Sequence, residues 1–484
     1  MPYKSVIGLE IHIELNTKSK MFCSCLNNSN ERRANINICP TCTAQPGTLP
    51  VINKEAVNKV IKTGLSLNCK ISEKSKFDRK NYFYPDLPKG YQISQYDKPL
   101  CLDGFIKIDG KEVRIRRVHL EEDTGRLIHP EGESYSLVDF NRAGVPLMEL
   151  VTEPDIDSAK EAKAFAEELH RIFHYLNISD ADMEKGEMRV EVNLSLSKKK
   201  GELGTKVEVK NLNSFRSVER SIDYEIKRQT EALDKGEKII QETRGWDDAK
   251  GITISQREKE EAHDYRYFPE PDLPLLHFKK EDIDKIRAEI PELPQQKRDR
   301  LKKEFGLDEN FIEIFVQKKD LGEYFEKVVS EFEPGLLHKK LSDLIKISSN
   351  YLITDLQGLL KGDSVADTKF LITPENFAEF IQLVCDKTIS SKIAKMVLEE
   401  MFKSGGDPSD IIREKGLTQI SDESEIEKVV REVISKNPEL VEDYKKGKET
   451  VVQYLIGQIM AQTKGKANPQ VANKLLKQIL TKLK

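Results

Sequence analysis

The sequence has no long hydrophobic run, and this absence excludes the membrane-spanning classes of protein. Its apolar stretches fall far short of the ~20 consecutive residues that a helix needs to cross a bilayer. Residues 1–20 also lack the apolar core of a signal peptide, because Glu10, His12 and Glu14 interrupt them. We therefore expect a protein that is neither secreted nor inserted into a membrane.

The familiar catalytic signatures are missing as well. The sequence contains no GxxxxGK[ST] or GxGxxG phosphate loop, no GxSxG serine nucleophile and no HExxH metal motif. These absences exclude the common nucleotide-binding loops, the serine hydrolases and the HExxH metalloproteases. Any ATP chemistry must use a different kind of binding site.

A strong net charge is also lacking, since the formal charge is only −4. A contact with nucleic acid must therefore come from local basic patches. The seven cysteines are odd in number, and four of them fall within residues 23–42. This distribution favours a metal site in a reducing compartment, the cytoplasm or an organelle matrix, over a disulfide framework.

The length of 484 residues predicts more than one domain, because single cores stop growing near about 250–300 residues. Short β-rich runs alternate with helical patterns, at residues 158–176 and 216–234, up to about residue 290, where prolines interrupt every regular element. Later segments have helical periodicity, with a Gly-Gly-Asp-Pro break at residues 405–408. The predicted fold class is α+β: a mixed domain over 1–292, an all-α domain over 293–405 and a small all-α tail over 406–484.

An alternating strand pattern runs from Val6 to Leu15. Period two places Glu10, His12 and Glu14 on one face and aliphatic residues on the other. A solvated outer face is one interpretation. The other is a Mg²⁺ site, because hard carboxylate oxygens hold a cation that also binds phosphate.

Two further acidic segments follow. Residues 119–126 include Glu122 beside two other carboxylates, and the Gly- and Pro-containing turn over 139–149 ends at Glu149. A solvated acidic turn explains the first segment equally well when it is taken alone. Together with the strand, the two segments indicate a shared cation site presented by turns.

An aromatic and basic loop spans residues 77–92 and includes Lys80, Tyr82 and Lys89. Rings stack on bases while lysine and arginine bind phosphate, so the loop suits a nucleotide or a tRNA end. A tyrosine-rich packed loop is the alternative.

Four cysteines have the spacing of a metal site, as Cys23-x-Cys25 and Cys39-x-x-Cys42. Two such pairs can bind zinc tetrahedrally, and four thiolates leave no coordination position open, so the zinc would be structural. This closed set also argues against a zinc-dependent hydrolase. Two buried pairs of free thiols are the alternative, and the isolated Cys69, Cys101 and Cys385 are interpreted as core residues.

Taken in chain order, these segments resemble the B subunits of the Glu-tRNA(Gln)/Asp-tRNA(Asn) amidotransferases, the GatB family. The similarity continues through residues 204–216, 241–244 and 261–272 and covers essentially the whole chain. It implies a cradle-shaped catalytic domain, a helical domain and a tail domain similar to YqeY, the last two reaching the tRNA.

The resemblance also implies a reaction and partners. ATP phosphorylates the side-chain carboxylate of a misacylated Glu- or Asp-tRNA, and ammonia from a glutaminase partner displaces the phosphate. An amidase/glutaminase A subunit and a small C subunit would complete a heterotrimer. A non-catalytic tRNA-binding adaptor is the alternative function.

Site residues carry over position by position. His12, Glu122 and Glu149 match the family's magnesium-binding residues with Glu10 as a neighbour, and Lys80, Tyr82 and Lys89 match its nucleotide and channel-mouth loop. The resemblance also implies nucleotide-binding roles for Glu208, Lys210, Asn211 and Glu191. At Glu191 this chain departs from the family pattern, which commonly has an aspartate there.

The last segment of the chain is basic. Residues 450–484 contain six lysines and no acidic residue; the lysines are Lys464, Lys466, Lys474, Lys477, Lys482 and Lys484. Contact with tRNA phosphates is one interpretation. A solvated helical surface is the other.

Overall fold

The computed structural model describes residues 3–199, 202–258, 265–333, 338–417, 423–446, 448, 450–463 and 466–483. The chain divides into two compact units, residues 1–294 and 295–484, and each is described by itself. Motif residues 261–264 and the tail lysines Lys464 and Lys484 lie outside the described residues.

The first unit combines strands and helices. In chain order its elements are β1 (Lys4–Glu14), α1 (Lys54–Ser66), β2 (Lys70–Ile71), β3 (Lys74–Ser75), β4 (Asp78–Asn81), β5 (Tyr91–Ser94), β6 (Cys101–Ile108), β7 (Lys111–Glu122), β8 (Arg126–Ile128), β9 (Leu137–Asp139), β10 (Pro146–Thr152), α2 (Ala159–Leu176), β11 (Met188–Ser197), β12 (Val207–Leu212), α3 (Phe215–Asp234), β13 (Glu242–Asp247), β14 (Ile252–Glu258), β15 (Phe268–Pro269), β16 (Leu276–His277) and α4 (Lys280–Ala288).

A nine-stranded sheet forms the centre of this unit, in the order β14-β13-β12-β11-β1-β10-β7-β6-β2. Its strands pair antiparallel except for β12 with β13. The predicted strand at Val6–Leu15 is β1, at the middle of the sheet. Because paired residues of neighbouring strands point to the same face, the alternation of β1 divides the whole sheet into an apolar and a charged face.

Helices cover the apolar face. Ile11 and Ile13 of β1 are fully buried in a core that also contains Phe165 of α2 and Ile222 of α3. Helix α2 begins where the Ser158 side chain accepts a hydrogen bond from the Glu161 backbone N–H, as expected of an N-cap serine. The charged face lines a cavity.

The second unit is helical. In chain order it contains α5 (Pro294–Phe305), α6 (Glu309–Gln317), α7 (Lys319–Ser330), α8 (His338–Tyr351), a π-helical turn (Leu352–Leu356), α9 (Gln357–Leu360), α10 (Pro374–Cys385), α11 (Ser391–Ser404), α12 (Pro408–Glu414), α13 (Glu423–Lys436), α14 (Pro438–Lys445), α15 (Thr450–Gln462) and α16 (Pro469–Lys482). One hydrophobic core extends from Leu301 to Ile412, and a separate one from Ile426 to Leu480. The predicted α+β class, with helices and a YqeY-like region following the mixed part, is confirmed.

The predicted domain boundary at 405/406 falls between α11 and α12, but α12 packs with the helices that precede it. Gly405 ends α11 in the left-handed conformation, with φ +68°. The chain then enters α12 at once, and Ile411 and Ile412 pack into the Leu301–Ile412 core. A glycine that caps a helix therefore ends the helix and not the packing unit.

A membrane-spanning helix is not found among the described residues, where none combines the required length and hydropathy.

Candidate active site

The charged face brings together residues from three neighbouring strands. His12 of β1 lies opposite Glu149 of β10, and Glu149 lies opposite His119 of β7. The Glu149 Oε2 atom is 3.3 Å from Nε2 of both imidazoles. Glu10 extends the group along β1, with Oε1 3.9 Å from His12 Nε2. The structure therefore places three of the predicted site residues, Glu10, His12 and Glu149, in one cluster.

Glu122 does not join this cluster, contrary to the sequence-based metal assignment. Its carboxylate accepts hydrogen bonds from Lys89 Nζ at 2.6 Å and from the Ile93 backbone N–H at 2.9 Å. Glu121 takes the expected place, with its carboxylate 3.9 Å from His12 Nε2. The reason is strand alternation, since adjacent residues of β7 point to opposite faces of the sheet.

The electrostatics of the cluster suit a bound cation. Although burial opposes ionisation, His119 and His12 hold the pKa of Glu149 well below its usual value. Burial lowers the pKa of His12, but the hydrogen bond and charge of Glu149 outweigh burial and raise it to about 9. Burial and the charges of Glu149 and Glu191 raise the pKa of Glu10 to about 7. The carboxylates outnumber the imidazoles, so an added cation would relieve their repulsion.

A second acidic group adjoins the first through Glu10. Carboxylate oxygens of Glu10, Glu191 and Glu208 lie within 4.8 Å of one another. Lys210 Nζ is 2.9 Å from Glu191, and Glu208 accepts a hydrogen bond from Thr243 Oγ1 at 2.8 Å. The glutamate at position 191 thus still reaches the group. Both acidic groups offer mainly carboxylate oxygens, so their donors fit magnesium.

Asn211 is not among the residues that line the cavity over the charged face, although the resemblance implies a nucleotide-binding role for it. The residue is exposed, has φ +65° and follows Lys210 in β12. The pairing of β11 with β12 is irregular between Val190 and Val192.

A cavity of about 850 Å³ covers the charged face. Lys80 and Tyr82 line it together with Tyr265 and Tyr267. The Lys80 ammonium lies 5.1 Å from the centre of the Tyr265 ring. Burial disfavours the charge of Lys80, but Glu121 and Tyr267 outweigh it and raise its pKa. The cavity therefore combines a half-buried lysine, aromatic rings and an acidic floor.

Sequence reasoning missed several residues of this cavity. They are Arg117, His119, Glu121, Arg189, Tyr265 and Tyr267. The alternation Arg117-x-His119-x-Glu121 is the same signal that identified β1, and it would have found three of them. Tyr265-x-Tyr267 also alternates, but no local pattern connects it with β4.

Lys89 faces a smaller cavity of about 260 Å³ and does not line the larger one. Glu122, Tyr91 and Asp272 share this second cavity with Cys23 and Cys42. The predicted loop over 77–92 is thus divided, with Lys80 and Tyr82 in one cavity and Lys89 in the other.

The four predicted zinc ligands converge next to the second cavity. Their Sγ atoms lie within 4.8 Å of one another; they belong to Cys23, Cys25, Cys39 and Cys42. Zinc–sulfur bonds of about 2.3 Å place tetrahedral sulfurs about 3.8 Å apart, so the donor set fits this metal. Cys42 Sγ also accepts a hydrogen bond from the Cys39 N–H at 3.2 Å. Cys69 and Cys101 are buried in the core as predicted, while Cys385 is half-buried.

Comparison with known proteins identifies the family. Residues 5–284 match the model described as the GatB/GatE catalytic domain, and residues 323–480 match the GatB_Yqey model, described as a GatB domain. The B subunit of the aspartyl/glutamyl-tRNA(Asn/Gln) amidotransferase from Caldicellulosiruptor saccharolyticus is 50% identical over 491 residues, 100% of both chains. The chain belongs to the GatB family.

Other relatives support the same assignment. The proteins of this name from Thermotoga maritima and Persephonella marina are 48% and 50% identical, and they cover 99% of this chain. The predicted GatB membership and the predicted class, an amidotransferase ligase, are confirmed. The cavity lies within the part of the chain that matches the catalytic domain.

Proposed function

We propose that this chain activates the side-chain carboxylate of misacylated Glu-tRNA(Gln), Asp-tRNA(Asn) or both with ATP, for amidation to Gln- or Asn-tRNA. The observation that carries the proposal is the cavity itself. Glu149, His12 and Glu10 line it together with Lys80 and several tyrosine rings. The relatives are named as B subunits of aspartyl/glutamyl-tRNA(Asn/Gln) amidotransferases, and this name supports the same substrates.

The chemistry explains the residue types. A carboxylate is a poor electrophile, so one of its oxygens attacks the γ-phosphorus of ATP and ADP leaves. Ammonia then attacks the acyl carbon of the resulting acyl phosphate, phosphate leaves and the nitrogen loses a proton. Phosphoryl transfer depends mainly on positioning and charge neutralisation, which a half-buried lysine beside an acidic cluster would provide.

Magnesium fits the acidic floor of the cavity. Glu10, His12 and Glu149 would hold it, with Glu121 in the place that the sequence predicts for Glu122. When bound, the ion neutralises phosphate charge. Glu208, Glu191 and Lys210 are assigned to the nucleotide side of the cavity. Lys80 and Tyr82 are assigned to the transferred phosphate and the tRNA end.

Lys89 and Glu122 are assigned to the entry of ammonia. Their ion pair lies in the smaller cavity, away from the Glu149 cluster. The chain offers no serine amidase signature, so ammonia would come from the amidase/glutaminase A subunit, with a small C subunit completing a heterotrimer. The proposed compartment is the cytoplasm or an organelle matrix.

The remaining assignments concern the zinc site and the domains. A structural zinc is proposed at the four cysteines. The expected content is about one zinc per chain, and metal analysis of protein purified under reducing conditions would refute the site by finding none. The proposed domains are the cradle over 1–292, the helical domain over 293–405 and the tail over 406–484. The tail is proposed to contact tRNA.

A non-catalytic adaptor requires no such cluster. Its acidic strand residues would have no reason to converge, whereas the Glu149 carboxylate lies 3.3 Å from two imidazoles. Burying these groups has a desolvation cost that an adaptor would not need to sustain. The convergence therefore favours catalysis.

The test is tRNA-dependent ADP release by the assembled complex, with each charged tRNA in turn. Glu149→Gln should lower ADP and amide formation at least ~100-fold, as expected when a group that stabilises developing charge is lost. Glutamine hydrolysis should persist. Glu112→Gln, at the exposed end of the same β7 strand as Glu121, is the control. Full amide formation by Glu149→Gln would refute the proposal.

A further inference from the structure

Two histidines face each other on the surface of α2. His170 and His174 are four residues apart, so they lie one turn apart on the same side of the helix. Their Nε2 atoms are 3.2 Å apart, and the rings are 4.4 Å between centroids. His174 is exposed and His170 is half-buried. The pair is therefore accessible from solvent.

The separation of the two nitrogens matches metal coordination. One metal ion bonded to both Nε2 atoms at about 2.0–2.1 Å would have a nitrogen–metal–nitrogen angle of about 100°, because the nitrogens are 3.2 Å apart. This angle is near the tetrahedral value. Without metal, one ring can donate its Nε2–H to the other. A metal ion would replace that shared proton and bind both lone pairs.

We propose that His170 and His174 form an exchangeable binding site for a divalent transition metal such as zinc, copper or nickel. Imidazole is the side-chain ligand that suits these ions. Two protein ligands leave the other coordination positions open to water. The site is separate from the four cysteines and from the proposed function, because α2 covers the apolar face of the sheet and the cavity lies on the charged face.

The surroundings favour a bound cation. The Phe215 ring packs edge-on against the His170 ring, with 5.4 Å between the two ring centroids, and this contact limits rotation of the imidazole. His174 lies in the last turn of α2, just before the left-handed cap at Asn177, where the helix dipole is negative.

The experiment is calorimetric titration of the full-length chain with Zn²⁺, without ATP or tRNA. Before the titration, the four cysteines are loaded with zinc and the zinc content of the protein is measured. The wild-type chain should bind at least one further equivalent, and one of these should be lost in the histidine variants. His174→Gln should weaken that binding by more than ~10-fold, since even partners that only orient a ligand contribute about 10–100-fold. His277→Gln removes a lone histidine of β16 and should change nothing.

His170→Gln is the second variant, and it should give the same loss as His174→Gln. Thermal unfolding gives an independent reading, because a ligand that binds only the folded state stabilises it. Added Zn²⁺ should raise the Tm of the wild type by more than that of either variant. Absence of a further equivalent in the wild type, or zinc binding by both variants as tight as that of the wild type, would overturn the site. Neither result affects the amidotransferase assignment.

Discussion

The sheet of the first unit and the tail helices α13–α16 carry their charges in opposite ways. In the sheet, Glu149 and His119 are buried at 4% and 2% exposure. On α16, Lys474, Lys477 and Lys482 are exposed, while Leu476 of the same helix is fully buried in the core. The first region accepts a desolvation cost that the second avoids.

This difference separates two kinds of function. Buried charges hold one geometry because their partners are fixed, which suits chemistry on a reacting group. Exposed lysines contribute little to the stability of the fold. They attract phosphate charges through solvent, which suits binding to a phosphate backbone. Changes in the sheet should therefore alter turnover and stability, whereas changes in the tail should alter affinity.

The largest expected effect is a contrast between two adjacent residues of β7. Glu121→Gln removes a carboxylate from the cluster and should lower tRNA-dependent ADP release by about 100-fold, as loss of electrostatic stabilisation does. Glu122→Gln should leave ADP release nearly intact and lower the amide formed per ADP, because its partner is Lys89. The measurement is ADP and amide from the same reaction of the assembled complex.

Equal ADP release by wild type and Glu121→Gln would contradict the assignment. If Glu122→Gln alone abolished ATP cleavage, the sequence-based metal assignment of Glu122 would be right, and the carboxylate would have to leave Lys89 during the reaction.

The second effect is on stability. Folding raises the pKa of Glu10 from 4.5 to about 7, so the neutral carboxyl is favoured in the folded state. Its stabilising contribution is fully present below pH 4.5 and is lost as the pH rises through 7. Glu10→Gln should therefore be more stable than the wild type by about 1–2 kcal/mol at pH 8, less than the ~3 kcal/mol limit of such a shift, because Glu10 stays 27% exposed.

Thermal unfolding at pH 5 and pH 8 measures this effect, with zinc loaded at the four cysteines and free divalent cations removed. The Tm difference between Glu10→Gln and wild type should be small at pH 5 and a few degrees at pH 8. Glu112→Gln should show no such trend. A Tm difference that does not change with pH would mean that folding does not raise the pKa of Glu10.

The sequence was sufficient to predict much of this comparison. Period two in β1 predicted the charged face, and helical periodicity predicted α2 and α3 within one residue of their ends. These signals are local. The choice between Glu121 and Glu122 was not predictable from the acidic cluster alone, because it depends on the phase of β7 and its pairing with β10. Such pairing is decided by non-local packing.

The packing of α12, which follows the predicted boundary at 405/406, has a similar origin. Gly405, Gly406 and Pro408 predicted a linker, and they do end one helix and begin the next. Which core receives Ile411 and Ile412 depends on contacts with α10 and α11, which no turn signal encodes. The tail helices pack in the other core, from Ile426 to Leu480, so a truncation that keeps the Leu301–Ile412 core intact must retain α12 and can end at residue 417.

The smallest expected effect concerns the segment that this truncation removes. A chain ending at residue 417 keeps α12 in its core and removes the exposed lysines of α16, which should leave the Glu149 cluster unchanged. We expect the KM for tRNA to rise several-fold, with turnover restored at saturating tRNA. The salt dependence should flatten, since each lost phosphate contact reduces the slope of log affinity against log salt by roughly 0.7–0.9. A full-length chain with Lys474, Lys477 and Lys482 changed to glutamine should reproduce the flattening without the truncation. Unchanged KM and slope in both variants would mean that these lysines only solvate the helix surface.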